Sequence, residues 1–257
     1  MPAAPFPQLD AADSPSPEPW RIVRALALAA SLAAFAMLAV SGPGTRLGVW
    51  TWQAGLSLMQ WGAWTGIAAG AASLVLLATA IAPRWRGRWW VALLALGFSA
   101  AAAAPPLFFL AEAKRVPPIH DITTDPGDPP RFVALLGTRL ASPNGAAYGG
   151  PAVAARQRAA YPDIKPLDLP APPAQTMRRA LEVARAMGWD IVASDPAEGR
   201  IEATARTTWF GFRDDVVVRI RPRDGGSRVD VRSDSRVGVS DIGANAARVR
   251  EFLARLA

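Results

Sequence analysis

His120 is the only histidine in the 257 residues, and Asp121 follows it directly. An imidazole beside a carboxylate is the simplest general acid–base pair. The carboxylate holds one ring tautomer, and the other nitrogen moves a proton near neutral pH. The plain alternative is a loop histidine that bonds local backbone. Asp121, Asp125 and Asp128 offer oxygen ligands to a hard cation such as Ca²⁺. Their spacing matches no calcium loop and Pro126 stiffens the segment, so turn formation is the expected role. Cysteine is absent, which excludes disulfides, thiolate metal sites and cysteine nucleophiles. No Gly-x-Ser-x-Gly elbow, paired His-Glu motif or phosphate-binding glycine loop occurs. No catalytic residue, metal or cofactor is therefore assigned, and an enzyme built on His120–Asp121 is the secondary reading.

The sharpest local feature is Trp209-Phe210-Gly211-Phe212, followed by Arg213-Asp214-Asp215. These aromatics, set between two strands, suit docking of an envelope protein or an apolar ligand. The commoner fate of such a turn is to fold back as a lid on the core, and the residues leave both readings open. Arg206, Arg213 and Arg236, with Asp214, Asp215 and Asp241, would either line a polar pocket beside them or form a structural ion-pair network.

The elements that must position these groups are legible from Gln175 onward. Met177, Ala180, Leu181, Ala184 and Met187 share one face of a helix that Gly188 stops. A strand begins over Trp189–Val192. Strict alternation follows over Ile201–Thr207, then over Val216–Arg221 and Arg228–Asp234, with a hairpin turn at Arg223–Ser227. Asp241–Leu256 closes as a helix with Ile242, Ala246, Val249, Phe252, Leu253 and Leu256 on one side. This order predicts an α+β domain: an antiparallel sheet of about four strands with two helices on one face. The Arg and Asp of the second face are expected to pair as exposed ion pairs worth little each. Upstream, residues 117–130 read as an extended, proline-rich linker, and Pro151–Ala160 as a short helix with proline in its first turn.

The first part of the chain is of another kind. Residues 1–115 hold 8 Lys+Arg and 4 Asp+Glu, against 20 and 17 in residues 116–257. The basic residues never gather into a stripe, which argues against nucleic acid as a partner despite the net +7. Three apolar runs, Ile22–Ser41, Gly62–Ala82 and Trp89–Ala113, are long enough to cross a bilayer as an all-α region of three helices. Gly42–Trp61 reads as a loop or short helix at the membrane surface, and a kink or frayed turn is expected at Pro105-Pro106. Gly66, Gly70 and Ser73 suit close helix packing. No span carries a charge in its middle, which disfavours transport. Residues 1–20, rich in proline, are expected to be a disordered tail. That polar prelude and the long first run argue against a cleaved signal peptide.

Arg84, Arg86 and Arg88 lie in the short connection between spans two and three. Moving guanidinium groups through a bilayer costs several kcal/mol each, so this loop is placed in the cytoplasm. The tail then lies inside and residues 116–257 outside. The implied location is a bacterial inner membrane with a periplasmic domain.

Several stretches carry a resemblance. They are Ile119–Pro126, Tyr161–Ile164, Gly199–Ala205, Trp209–Val216, Ser227–Ser233, and Ser235–Gly238 through Asp241–Ala246. Over about residues 118–256 the chain resembles the domain of unknown function 1499. The resemblance implies a domain boundary but no activity, ligand or catalytic residue. The expected function is a binding or scaffold role in the cell envelope, with the lipid bilayer and an envelope protein or apolar ligand as partners. The alternative is an envelope enzyme acting on a lipid or cell-wall substrate around His120–Asp121.

Overall fold

The structure, a computed structural model, describes residues 18–80 and 89–257. Most of the expected tail and the whole Pro83–Arg88 loop lie outside the described residues. The chain divides into two compact units, residues 1–108 and 109–257.

The first unit is built from three long helices: α1 (Glu18–Arg46), α2 (Trp52–Thr79) and α3 (Trp89–Arg115), the last running on into the second unit. All three are long and apolar enough to span a membrane. By length and composition these helices suggest a membrane protein. The expected surface segment Gly42–Trp61 is largely helical instead, with α1 running through Pro43 to Arg46 and α2 starting at Trp52. The Ser41 carbonyl there accepts from Thr45 Oγ1 at 2.9 Å and Trp50 Nε1 at 3.1 Å, which ties Trp50 back onto the last turns of α1. The helix α3 is continuous through Pro105 and Pro106. Small residues let the helices touch. A Cβ on Gly62 would lie 3.0 Å from the Ala34 carbonyl oxygen, and one on Gly66 would lie 3.1 Å from that of Ser99. Ser31 and Ser99 share a buried 2.9 Å hydrogen bond between α1 and α3.

The second unit is an antiparallel sheet domain with helices. Its sheet has six strands: β1 (Asp121–Thr123), β2 (Leu167–Leu169), β3 (Asp190–Asp195), β4 (Arg200–Arg206), β5 (Arg213–Arg223) and β6 (Gly226–Ser235). The order is β1-β6-β5-β4-β3, with β2 also on β6. The expected four strands are thus β3 to β6. The two added strands are three-residue pieces, too short to show an alternation, which pair with β6 at Thr123↔Arg232 and Leu167↔Val229.

One face of the sheet is apolar. Ile201, Ala203 and Ala205 of β4, Val216, Val218 and Ile220 of β5, and Val229 and Val231 of β6 are all buried there. Beyond the shorter α4 (Leu136–Leu140) and α5 (Gly150–Ala160), which is the expected helix at Pro151–Ala160, helices α6 (Pro173–Ala186) and α7 (Ala244–Leu256) cover them through Met177, Ala180, Ala184, Val249 and Phe252. The small side chains of β4 let the helices approach, and Trp189 stacks on Phe252 with centroids 5.1 Å apart. Ile242 is not part of α7. It sits in the preceding turn at φ 52°, and Asp241 caps the helix by accepting from the Asn245 amide at 2.6 Å.

The opposite face overturns an expectation. Much of its charge is not exposed: Glu202, Asp215, Asp230, Arg232 and Asp234 are all buried, while Arg206 and Arg213 remain exposed at its end. Residues of the 124–148 segment, including the short helix α4 (Leu136–Leu140), cover part of this face with Phe132, Leu135 and Arg139. That segment lacks a helical or alternating pattern, so its role as a second layer was not readable from periodicity.

Candidate functional site

Period-two alternation puts Arg232 and Asp234 of β6, Asp215 and Val217 of β5, and Asp121 of β1 on this covered face. Desolvated charges need partners, and each has one. Arg232 grips Asp121 in two parallel bonds, Nε to Oδ1 at 2.9 Å and Nη2 to Oδ2 at 2.8 Å. Arg139, fully buried on α4, donates to the Asp234 carboxylate and, at 3.0 Å, to its backbone oxygen. Its Nη1 lies 3.5 Å from Asp215 Oδ2. Arg236 holds Asp215 with two bonds of 2.9 and 2.8 Å, and Thr204 Oγ1 donates to the same carboxylate at 2.8 Å. Phe132 lies against two of the cations, with Arg139 Cζ at 5.3 Å and Arg232 Cζ at 4.9 Å from its ring centroid.

His120 stands at the edge of this network. Its Nδ1 is 2.9 Å from Asp234 Oδ1, and its side chain is 29% exposed. A carboxylate can only accept, so Nδ1 carries the proton. The carboxylate that orients His120 is therefore Asp234, not its neighbour Asp121, whose oxygens Arg232 occupies. The hydrogen bond to Asp234 raises the His120 pKa, while burial opposes it. Burial and the nearby Asp234 charge push Asp121 up to about 6 against the pull of Arg232. Burial, then the Asp121 charge, takes Tyr148 up to about 12.

The His120 ring lines a cleft of about 310 Å³. Its walls are mainly apolar, with Pro118, Ile119, Val153 and Val239 among them, and its polar lining comes from His120, Asp121 and Asn144. Asn144 Nδ2 donates to the Ser235 and Gly238 carbonyls, both at 2.9 Å, which ties the loop carrying Val239 to the end of β6.

The other expected site residues are dispersed. Asp214 and Asp215 are adjacent in β5 and so face opposite sides of the sheet; Asp214 pairs with Arg248 of α7 at 2.6 Å. Arg213 stands opposite Arg206 in the β4–β5 pairing. Asp125 and Asp128 serve Arg228, Arg219 and Arg221. Among the described residues no group of three or more His, Asp or Glu could hold a metal. In the aromatic turn, Phe210 is buried and stacks on Phe212 at 5.4 Å, whereas Trp209 is 45% exposed.

A family described as a protein of unknown function, DUF1499, matches residues 121–256. The chain belongs to this family. The match spans all six strands and takes in the covered ion network, so the network lies within the DUF1499 domain. No curated protein matches the chain. Sequence reasoning missed Arg139, Asn144 and Asp234. The alternation Arg228-x-Asp230-x-Arg232-x-Asp234 placed Asp234 on the polar face, but nothing local said that this face was buried.

Proposed function

We propose that this chain is a bacterial inner-membrane protein whose DUF1499 domain lies on the extracytoplasmic side and binds a ligand or envelope partner in the cleft beside His120. The observation that carries the reading is the cleft itself. Apolar walls stand beside a few polar groups, His120, Asp121 and Asn144, the arrangement small-ligand sites use. A buried network of ion pairs behind the cleft, through Asp234, holds His120 in place. The orientation rests on Arg84, Arg86 and Arg88 between two apolar runs. A reporter enzyme active only in the cytosol, fused after Ala257, should be silent; activity would reverse the assigned side.

Binding is tested by photocrosslinking in cells from position 239. An adduct should form in the native background and vanish when Ala147→Trp fills the cleft. Equal capture in both sinks the reading.

The His120–Asp234 hydrogen bond of 2.9 Å favours a second reading, acid–base catalysis on an envelope lipid or cell-wall substrate. No serine, threonine or cysteine lines the cleft, so the base would act on water or on a substrate proton. His120→Gln separates the two. A catalyst loses its cellular phenotype with the crosslinked adduct retained, whereas a binding module changes both together.

A further inference from the structure

We infer that the cleft beside His120 takes an anionic group carried on a compact apolar body, with the anion against the His120 ring and the body against Ile119, Val153 and Val239. This rests on the cleft being a binding site, as proposed above, and specifies what it selects.

The selection follows from charge balance. The network behind the cleft contains three carboxylates, Asp121, Asp215 and Asp234, and three guanidinium groups, Arg139, Arg232 and Arg236, linked in one chain of ion pairs. These cancel. His120 is then the group at the cleft that can take up a net positive charge, by protonation of its second ring nitrogen, since Nδ1 is already committed to Asp234. Asp121 also lines the cleft, but Arg232 holds both of its oxygens. An anion arriving at the ring meets an imidazolium whose own counter-ion is shared with Arg139. A cation would meet the same imidazolium with nothing to offset it.

The body follows from the walls. Pro118, Ile119, Ala147, Val153 and Val239 have no hydrogen-bonding side chain, and a volume of about 310 Å³ is at the lower end for ligand clefts, about 300–1,000 Å³. The outer wall is a strained turn. In the loop that presents Val239, which is 77% exposed, the β-branched Ile242 sits at a strained φ of 52°, whereas Gly238 takes φ 95° without a Cβ to clash. Strain of that kind persists where surrounding bonds hold it, here Asn144 to Gly238 and Asp241 to α7. The loop thus holds an apolar side chain out beside the cleft.

The test uses the full chain in nanodiscs with labelled histidine, because one histidine gives one ring signal that needs no assignment. The His120 titration is followed with cyclohexanecarboxylate, dibutyl phosphate, cyclohexylmethanol or acetate present. Either bulky anion should raise the midpoint by about half a pH unit or more, since an opposite charge nearby favours the protonated ring. The stronger of the two identifies a carboxylate or a phosphodiester head group. The alcohol should leave the midpoint unchanged, and acetate should need far higher concentrations. Ala147→Trp should abolish the response while keeping the free midpoint and the melting temperature. A response to the alcohol equal to that of the anions overturns the charge selection but leaves the cleft a binding site. Silence with every probe overturns the inference, and loss of the position-239 adduct's dependence on Ala147 would take the binding reading with it.

Discussion

Arg232 on β6 and Asp121 on β1 are joined by two hydrogen bonds, of 2.9 and 2.8 Å, with both side chains almost wholly buried. Residues 111 positions apart are thereby locked at the sheet edge that carries His120. The same guanidinium reaches the Ala146 carbonyl at 3.0 Å, so it also fixes the covering segment. One cation thus ties together the edge strand, the central sheet and the second layer.

Arg232→Ala should lower stability by about 3–5 kcal/mol, because it leaves the Asp121 carboxylate buried without a partner. Replacing both residues, Arg232→Met with Asp121→Leu, should recover much of that loss. Chemical denaturation of the full chain, followed by circular dichroism, measures the two variants. A double variant no better than the single would show that packing, not the orphaned charge, dominates.

The pH dependence has a defined sign. Asp121 is raised from 3.8 to about 6 by burial and Asp234, and Asp241 is raised chiefly by burial. The folded state therefore holds these protons more tightly than the unfolded chain. Their contribution is fully present below about pH 4 and is lost as pH rises toward and through 6. His120, also raised, extends the loss above its ordinary 6.5. Asp128 and Asp163 are lowered by arginine partners and act oppositely, but both are exposed and their effect is screened. Melting temperature should fall between pH 4 and 7, and Asp121→Asn should flatten that slope. An unchanged slope in the variant would rule out Asp121 as its source.

Glu202 fastens the covering layer from below. Its carboxylate accepts the backbone N–H groups of Val133, Ala134 and Leu135 at 2.9–3.1 Å, at the start of the turn leading into α4. Glu202→Gln replaces one acceptor with a donor that faces those amides. A loss of about 1–3 kcal/mol is expected, the cost of leaving buried polar groups unmatched. Hydrogen exchange should accelerate first at residues 133–135, and uniform acceleration across the sheet would contradict a local fastening role.

The aromatic turn divides into two roles. Phe210→Ala should cost stability, up to about 3 kcal/mol, because the ring is buried and stacked on Phe212. Trp209→Ala should stay within about 0.5 kcal/mol, as exposed substitutions do. A cellular defect in Trp209→Ala at normal stability and expression would mark a docking side chain. Denaturation curves beside a growth or crosslinking phenotype check both.

The local sequence determined what depends on local pattern. Twenty-residue apolar runs specify helices able to span a membrane, because a single segment can satisfy its own backbone in lipid only by bonding within itself. Alternation and glycine turns specify β3 to β6, and heptad-like spacing specifies α6 and α7. Glycines 66 and 70 already marked a close helix seam, and a Cβ on Gly66 would indeed press on Ser99 and Ala102.

Burial of the second sheet face was decided by tertiary structure alone. An alternating Arg-Asp strand reads as solvent-exposed, since charges are rarely desolvated, and only a covering layer with matched partners reverses that. The layer comes from residues 124–148, whose prolines and glycines give no periodic signal and whose anchors, Glu202 and Arg139, are 67 to 95 positions from what they bind. The partner of His120 was hidden for the same reason. Asp121 is next to it in the chain, but Arg232 occupies both of its oxygens. Asp234 reaches the ring because β6 pairs with β1 in a register that no local pattern encodes.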